Sequence, residues 1–285
     1  MRWQALQKTS SAFRLVAAVT VGLSLLSGGW LHYQTRMRGG PRSGEGVADW
    51  NAEYEKRFRP FAEMPQPSPR FIELALDLYP GERWYRAKGQ QVLVNESRAP
   101  MDEVWVAVAP EARVERLTVA GAQLNHSDPR FGMRRYRFET PLEPGSKTTL
   151  EFDLVVENSS LALEVHGDAV SPNGSFLFGA WVLPSMGYVR GYELQDPSER
   201  RTRGLAPRTG TTEGSREHGE LGEDVAGPVE IRATISTSVD QQVVGSGALE
   251  RAWLEGGRRW FRYRSTVPGA SRFAVASARY QTVKV

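Results

Sequence analysis

Apolar residues recurring at every second position, separated by Gly- and Pro-containing turns, predict a mostly β protein: an antiparallel β-sandwich preceded by a transmembrane helix and a short amphipathic helix. From Phe71 onward Ile72, Leu74, Leu76 and Leu78 fall on one side of a strand, with Phe71, Glu73, Ala75 and Asp77 on the other. The same period returns at Val104, Val106 and Val108, at Leu150, Phe152, Leu154 and Val156, and at Val229, Ile231, Ala233 and Ile235. "YPGE", "EPGS" and "EGGR" read as turns, and the last joins residues 249–254 to 260–263 as a hairpin. No strand alternates with a long amphipathic helix, so a parallel α/β sheet is excluded.

The first segment has a different character. Arg2, Lys8 and Arg14 precede "LVAAVTVGLSLLSGGWL", which carries no charge over residues 15–31 and includes Trp30, a residue type that favours the membrane interface. A cleavable signal shares the basic start, but its apolar run is shorter and a small-residue cleavage site follows it. The expectation is a single-pass membrane protein that meets lipid through residues 15–31, with the β domain on the extracytoplasmic side. Arg36, Arg38 and Arg42 match the basic residues of the other flank, so charge asymmetry does not choose the orientation.

Residues 1–33 form this basic segment and helix, residues 34–69 a hinge, amphipathic helix and Pro-rich linker, and residues 70–285 the β domain. Within the middle part Val47, Trp50, Tyr54, Phe58 and Phe61 are spaced as one helix face, expected to pack on the domain behind it. Pro60 ends that helix, and "MPQPSP" continues extended. Between 194 and 228 the strand pattern lapses into a mobile loop. At its start "DPSE" has the form of a helix N-terminus, with Asp196 as cap, Pro197 in the first position and Glu199 three residues after the cap.

The 285 residues are 40% hydrophobic, enough for a sizeable core. Lys and Arg number 36 against 33 acidic residues, a net +3 spread over strands and loops, which argues against a nucleic-acid partner. Without cysteine there is no disulfide framework, thiolate metal site or thiol nucleophile. The four histidines, His32, His126, His166 and His218, are far apart in sequence, and neither H-E-x-x-H nor a G-x-S-x-G elbow occurs. "GSGAL" at 245–249 follows a β run and reads as a turn between strands. No residue of this chain is assigned a catalytic or metal-binding role, and no cofactor is expected on it.

One stretch stands apart, "SPNGSFLFGAWVLPSMGYVRGYELQDPSERR". A Pro-Asn-Gly turn leads into an apolar strand, which breaks at Pro184 into a loop bearing Tyr188 and Tyr192. The final stretch, "SRFAVASARYQTVKV", poses a second question. Ala274, Ala276, Ala278 and Tyr280 share one face of a strand, with Phe273 and Val275 on the other, and the strand runs on to Val285 without a polar taper.

Taken in order, four segments resemble the aminopeptidase part of fused bacterial ABC transporter permease/aminopeptidase proteins, of the zinc aminopeptidase family of aminopeptidase N and the leukotriene hydrolases. They begin with "EYEKRFRPFAEMPQPSPRFIELALDLYPGERWYRAKGQQVLVNESRAPMDEVWV" and "DPRFGMRRYRFETPLEPGSKTTLEF". "NGSFLFGAWVLPSMGYVRGYELQDPSERR" and the closing "ARYQTV" complete the set. The resemblance implies a saddle-shaped N-terminal β domain, with "GGWLHYQT" similar to the end of the last transporter helix. It also implies that the thermolysin-like domain carrying G-A-M-E-N and H-E-x-x-H lies beyond this chain. Zinc would be held there, and the partners would be that catalytic domain or a separate chain supplying it, together with ABC transporter subunits. In the wider family the β domain forms one wall of the substrate cleft. Its nearest positions here are Asn173, Gly174, Ser175 and Tyr188, although "PSMGY" departs from the acidic P-x-x-D-x-P loop of ordinary members.

A rival expectation is a self-sufficient envelope β-sandwich, anchored by its N-terminal helix and binding a partner through exposed loops that include 204–227. The two readings differ in one property: a front domain without its neighbour exposes a contiguous apolar patch.

Overall fold

The computed structural model describes residues 11–33, 45–157, 169–208, 228–267 and 269–280. His166, His218, the 209–227 part of the expected loop and the last five residues lie outside the described residues. Two helices come first, α1 (Ser11–His32) and α2 (Glu45–Phe58), the latter followed by one 3-10 turn at Arg59–Phe61. Strands β1 (Ser68–Tyr79), β2 (Trp84–Val94), β3 (Met101–Ala107), β4 (Arg113–Val119), β5 (Ala122–Asp128), β6 (Met133–Leu142) and β7 (Lys147–Glu157) follow. After them come β8 (Ser175–Phe178), the short helix α3 (Gly179–Val182), β9 (Ser185–Met186) and α4 (Pro197–Thr202). The chain closes with β10 (Val229–Ser238), β11 (Gln242–Gly245), β12 (Ala248–Glu255), β13 (Arg258–Val267) and β14 (Ala274–Ala278).

The strands make three sheets. The largest runs β12-β13-β10-β1-β2-β7-β4; a second runs β5-β6-β3-β9 and a third β11-β14-β8. The alternation in β1 has the consequence the pattern demands, since Ile72, Leu74, Leu76 and Leu78 are all buried. They share one core with Ile231 and Ile235 of β10, Val104 and Val106 of β3, Leu177 of β8 and Val275 of β14. All three sheets therefore turn their apolar faces on the same interior. Buried tyrosine hydroxyls also find partners there: Tyr85 donates to the Trp181 carbonyl, Tyr136 to that of Leu117 and Tyr263 to that of Val243.

Pairing is antiparallel throughout the described sheets except at one joint. β1 and β10 run parallel, with Ile72 beside Ile231, so the large sheet is mixed rather than purely antiparallel. The apolar run after Ser175 also departs from expectation. It forms a strand only as far as Phe178 and then turns helical at Gly179–Val182, because a short apolar run fits a buried helix as well as a strand.

The expected transmembrane helix needs correction. α1 forms, but among the described residues no helix is long and apolar enough to cross a membrane. From its middle onward it carries Thr20, Gly22, Ser24, Ser27, Gly28 and Gly29, which dilute the apolar surface. The hydroxyls of Thr20, Ser24 and Ser27 donate to carbonyls four residues back. Leu15, Val16, Val19, Leu23, Leu25 and Leu26 are all exposed.

Candidate docking face and cleft edge

The third sheet is the smallest of the three, with three short strands. Its rows are short: Val244 of β11 lies beside Ala276 of β14, which lies beside Phe176 of β8, and one step along Ala274 lies beside Phe178. Alternation sends Val243, Val275, Ser277 and Leu177 inward, where they are buried. The opposite face holds Val244, Ala274, Ala276, Ala278, Phe176 and Phe178, with Gln242 at its margin. Val244 is 58% exposed and Phe176 47%, and Tyr280 just past the strand is 46% exposed. Phe176 and Phe178 meet edge to face at 4.7 Å, and Phe178 meets Trp181 in the same way at 5.0 Å. The result is a contiguous apolar face bordered by a ladder of aromatic rings, with three alanines leaving its centre flat. Monomeric surfaces rarely leave such a face open unless something binds it.

Asn173, Gly174 and Ser175 sit at one corner of this sheet. Asn173 is exposed at the tip of the turn, whereas Ser175 is buried as the first residue of β8 and pairs with Ser277. The Ser171 hydroxyl donates to the Gly174 carbonyl at 2.9 Å and closes the turn. A buried polar chain then ties the corner to its neighbours. The hydroxyls of Thr237 and Ser277 are 2.9 Å apart, Ser277 donates to Gln241 Oε1 at 2.7 Å, and Gln241 Nε2 donates to the Pro172 carbonyl at 3.2 Å. Gly174 comes so close to β14 that an added Cβ would stand 3.6 Å from that of Ala278. Turn and last strand are thus held together by satisfied bonds, and Asn173 projects beside the open face.

Tyr188 lies elsewhere. Only 8% exposed, it belongs to a second core with Trp50, Tyr54, Phe58, Trp105 and Phe131, and its ring stacks on Tyr54 at 5.1 Å. Burial, reinforced by the nearby Glu193 and Glu55 carboxylates, pushes its phenol well above the ordinary tyrosine range. A ring held this way packs α2 onto the domain. The Trp50, Tyr54 and Phe58 stripe of α2 faces inward as its spacing requires.

The same cluster contains a pair that sequence reasoning did not anticipate. Arg200 and Glu55 are both almost completely buried. Arg200 donates from Nη1 to Oε2 of Glu55 at 2.7 Å and from Nη2 to Oε1 at 2.6 Å. Arg200 also donates to the carbonyls of Leu194 and Ala206, and Arg59 adds a 2.6 Å bond to Glu55. Burial alone would raise the Glu55 carboxyl. The bonds and charges of Arg200 and Arg59 outweigh it and hold the group below the usual range. The only local signal for this pair was "DPSE": Asp196 caps α4 through the Ser198 and Glu199 amides, and α4 carries Arg200 inward.

Among the described residues no three His, Cys, Asp or Glu side chains come together as metal ligands. The fold defined here is that of a mostly β domain with antiparallel sheets, one parallel joint and an open apolar face. It is similar to an M1 zinc metallopeptidase from Deinococcus radiodurans, at 14% identity and a TM-score of 0.48, over 79% of this chain and 45% of that one. A mutant M1 zinc metallopeptidase from the same organism, bound to a Tyr-Ser-Ala substrate, matches at 12% identity and 0.48, over 75% and 42% of the two chains. A two-domain M1 zinc metallopeptidase mutant bound to L-tryptophan matches at 13% identity and 0.48, over 76% and 44%. The chain spans less than half the length of each of these solved structures. No family model and no curated protein matches it.

Proposed function

We propose that the chain is a non-catalytic β domain, the front part of a zinc aminopeptidase linked to an ABC transporter permease, and that the outer face of the β11-β14-β8 sheet docks the catalytic domain. The observation that carries this reading is the open apolar face itself, which a self-sufficient envelope domain has no reason to expose. The ordered segments of resemblance support it. Asn173 and Gly174, in the turn beside β14, form one edge of the peptide cleft that docking completes, with Ser175 buried behind them. Zinc, the carboxylate base and most of the groups that recognise a substrate amine come from the docked domain. α1, through its exposed Leu15, Val16, Val19, Leu23, Leu25 and Leu26, seats the chain on membrane lipid beside its transporter, with the β domain on the extracytoplasmic side.

Immunoprecipitation from native membranes with an antibody against residues 70–285 tests the reading. The expected precipitate carries zinc-dependent aminopeptidase activity, either on a product much larger than 31.8 kDa or on a separate chain brought down with it. Ala276→Arg, at the centre of the open face, is expected to abolish that activity while changing stability by no more than about 0.5 kcal/mol. A product of 31.8 kDa whose precipitate has no such activity overturns the proposal in favour of the envelope protein.

A further inference from the structure

At the far end of the large sheet the β12–β13 hairpin has a surface of another kind. β12 is the outermost strand, and all of its residues except Trp253 are exposed. Residues 248–267 contain five arginines and two glutamates, a net +3, which equals the net charge of the whole chain; the remaining residues sum to zero. Trp253 and Trp260 lie side by side on one face, stacked at 5.9 Å. Arg251 stands 4.9 Å and Arg262 6.0 Å from the Trp253 ring centroid, and neither meets a carboxylate among the described residues. Arg264, by contrast, is paired with Glu250. Leu249 is 50% exposed and Leu254 63%. Gly256 and Gly257 at the tip have open space around them.

Indole rings and guanidinium groups without a carboxylate partner on one face of a hairpin are the chemistry of a bilayer interface, where rings enter the headgroup layer and cations meet phosphate. We infer that the outer face of the β12–β13 hairpin rests on an anionic lipid surface, with Trp253 and Trp260 at the level of the headgroups and Arg251 and Arg262 against lipid phosphates, Leu254 standing near the tip on the opposite face. Charge complementarity selects this occupant: the hairpin carries a net +3, equal to the excess positive charge of the whole chain, and a surface of anionic lipid carries the opposite sign. The inference extends the membrane reading of α1 but stands on a different segment, so the two fail separately.

The absence of cysteine allows a single environment-sensitive dye to be attached to the full chain as Leu254→Cys. Flotation with neutral phosphatidylcholine vesicles reports α1, and the dye reports the hairpin. The expected result is a blue shift with vesicles containing phosphatidylglycerol and none with neutral vesicles, lost in Arg251→Glu/Arg262→Glu, whose apparent affinity for the anionic vesicles falls at least about tenfold. Flotation without a dye shift on either vesicle overturns the hairpin proposal and leaves the role of α1 standing. Failure to float on neutral vesicles, with the shift retained on anionic ones, overturns the role of α1 and supports the hairpin. Equal shifts on both vesicle types, or a shift of the same size with dissolved polyphosphate, also overturn it, because the first requires no charge and the second no lipid surface.

Discussion

Arg200→Ala is expected to destabilise the protein by about 3 kcal/mol, because it leaves the buried Glu55 carboxylate with only its bond to Arg59. Urea unfolding of the full chain, followed by tryptophan fluorescence, measures the loss directly. Arg200→Lys is expected to recover only part of it, since an ammonium cannot supply the two parallel bonds to Glu55 together with those to the Leu194 and Ala206 carbonyls. Replacing both partners, as Arg200→Met with Glu55→Leu, is expected to return most of the stability, because no buried charge remains unpaired. A double variant no more stable than Arg200→Ala would show that packing around the arginine stem, and not the ion pair, is what matters.

The pair has a pH signature of definite sign. The carboxyl of Glu55 is held below its ordinary value in the folded protein, so its contribution is fully present above the unfolded value of about 4.3 and is lost as pH falls through the folded value. The stability gap between wild type and Arg200→Ala is therefore expected to be constant near neutrality and to close below about pH 4. A gap that instead narrowed between pH 6 and 8 would assign the effect to another group.

Gly89→Ala is expected to cost about 3 kcal/mol for a reason unrelated to charge. Gly89 lies in the middle of β2, beside Leu74 of β1 and Phe152 of β7, and an added Cβ would fall 1.9 Å from the Glu73 carbonyl oxygen. That oxygen belongs to the backbone of the neighbouring strand and cannot swing aside as a side-chain tip would, so the ladder between β1 and β2 must open. Gly81→Ala, with nothing within 4 Å, is the control and is expected to stay within about 0.5 kcal/mol of wild type. Equal unfolding midpoints for the two variants would contradict the close approach at Gly89.

How far the sequence reveals this molecule depends on how local each feature is. The burial of β1, the inward stripe of α2 and the cap of α4 each rest on spacings within one segment, and each could be read residue by residue. β6 was harder to see, because Arg134, Arg135 and Arg137 break up the apolar signal around the buried Tyr136 and Phe138. The end of β8 at Phe178 was ambiguous in principle, and the parallel joint of β1 with β10 has no local signature. The site divides in the same way. Alternating alanines in β14 were visible as a face, but only the tertiary arrangement shows which residues of β8 and β11 share it and that Tyr188 packs in a separate cluster. The pairing of Glu55 with Arg200 likewise becomes visible only once α4 is docked.

The parallel joint also orders events during synthesis. β2, β7 and β4 can assemble on one flank of β1 as soon as residue 157 has emerged, but the other flank of β1 accepts only β10, which is made after residue 228. Until then the growing chain presents a twelve-residue strand with one unpaired edge. A nascent chain in that state is an open template for other extended chains, and the ribosome must add β10 before the edge can close. The long interval between these strands therefore places the interval of greatest aggregation risk in the second half of translation, when the first half of the sheet is already formed.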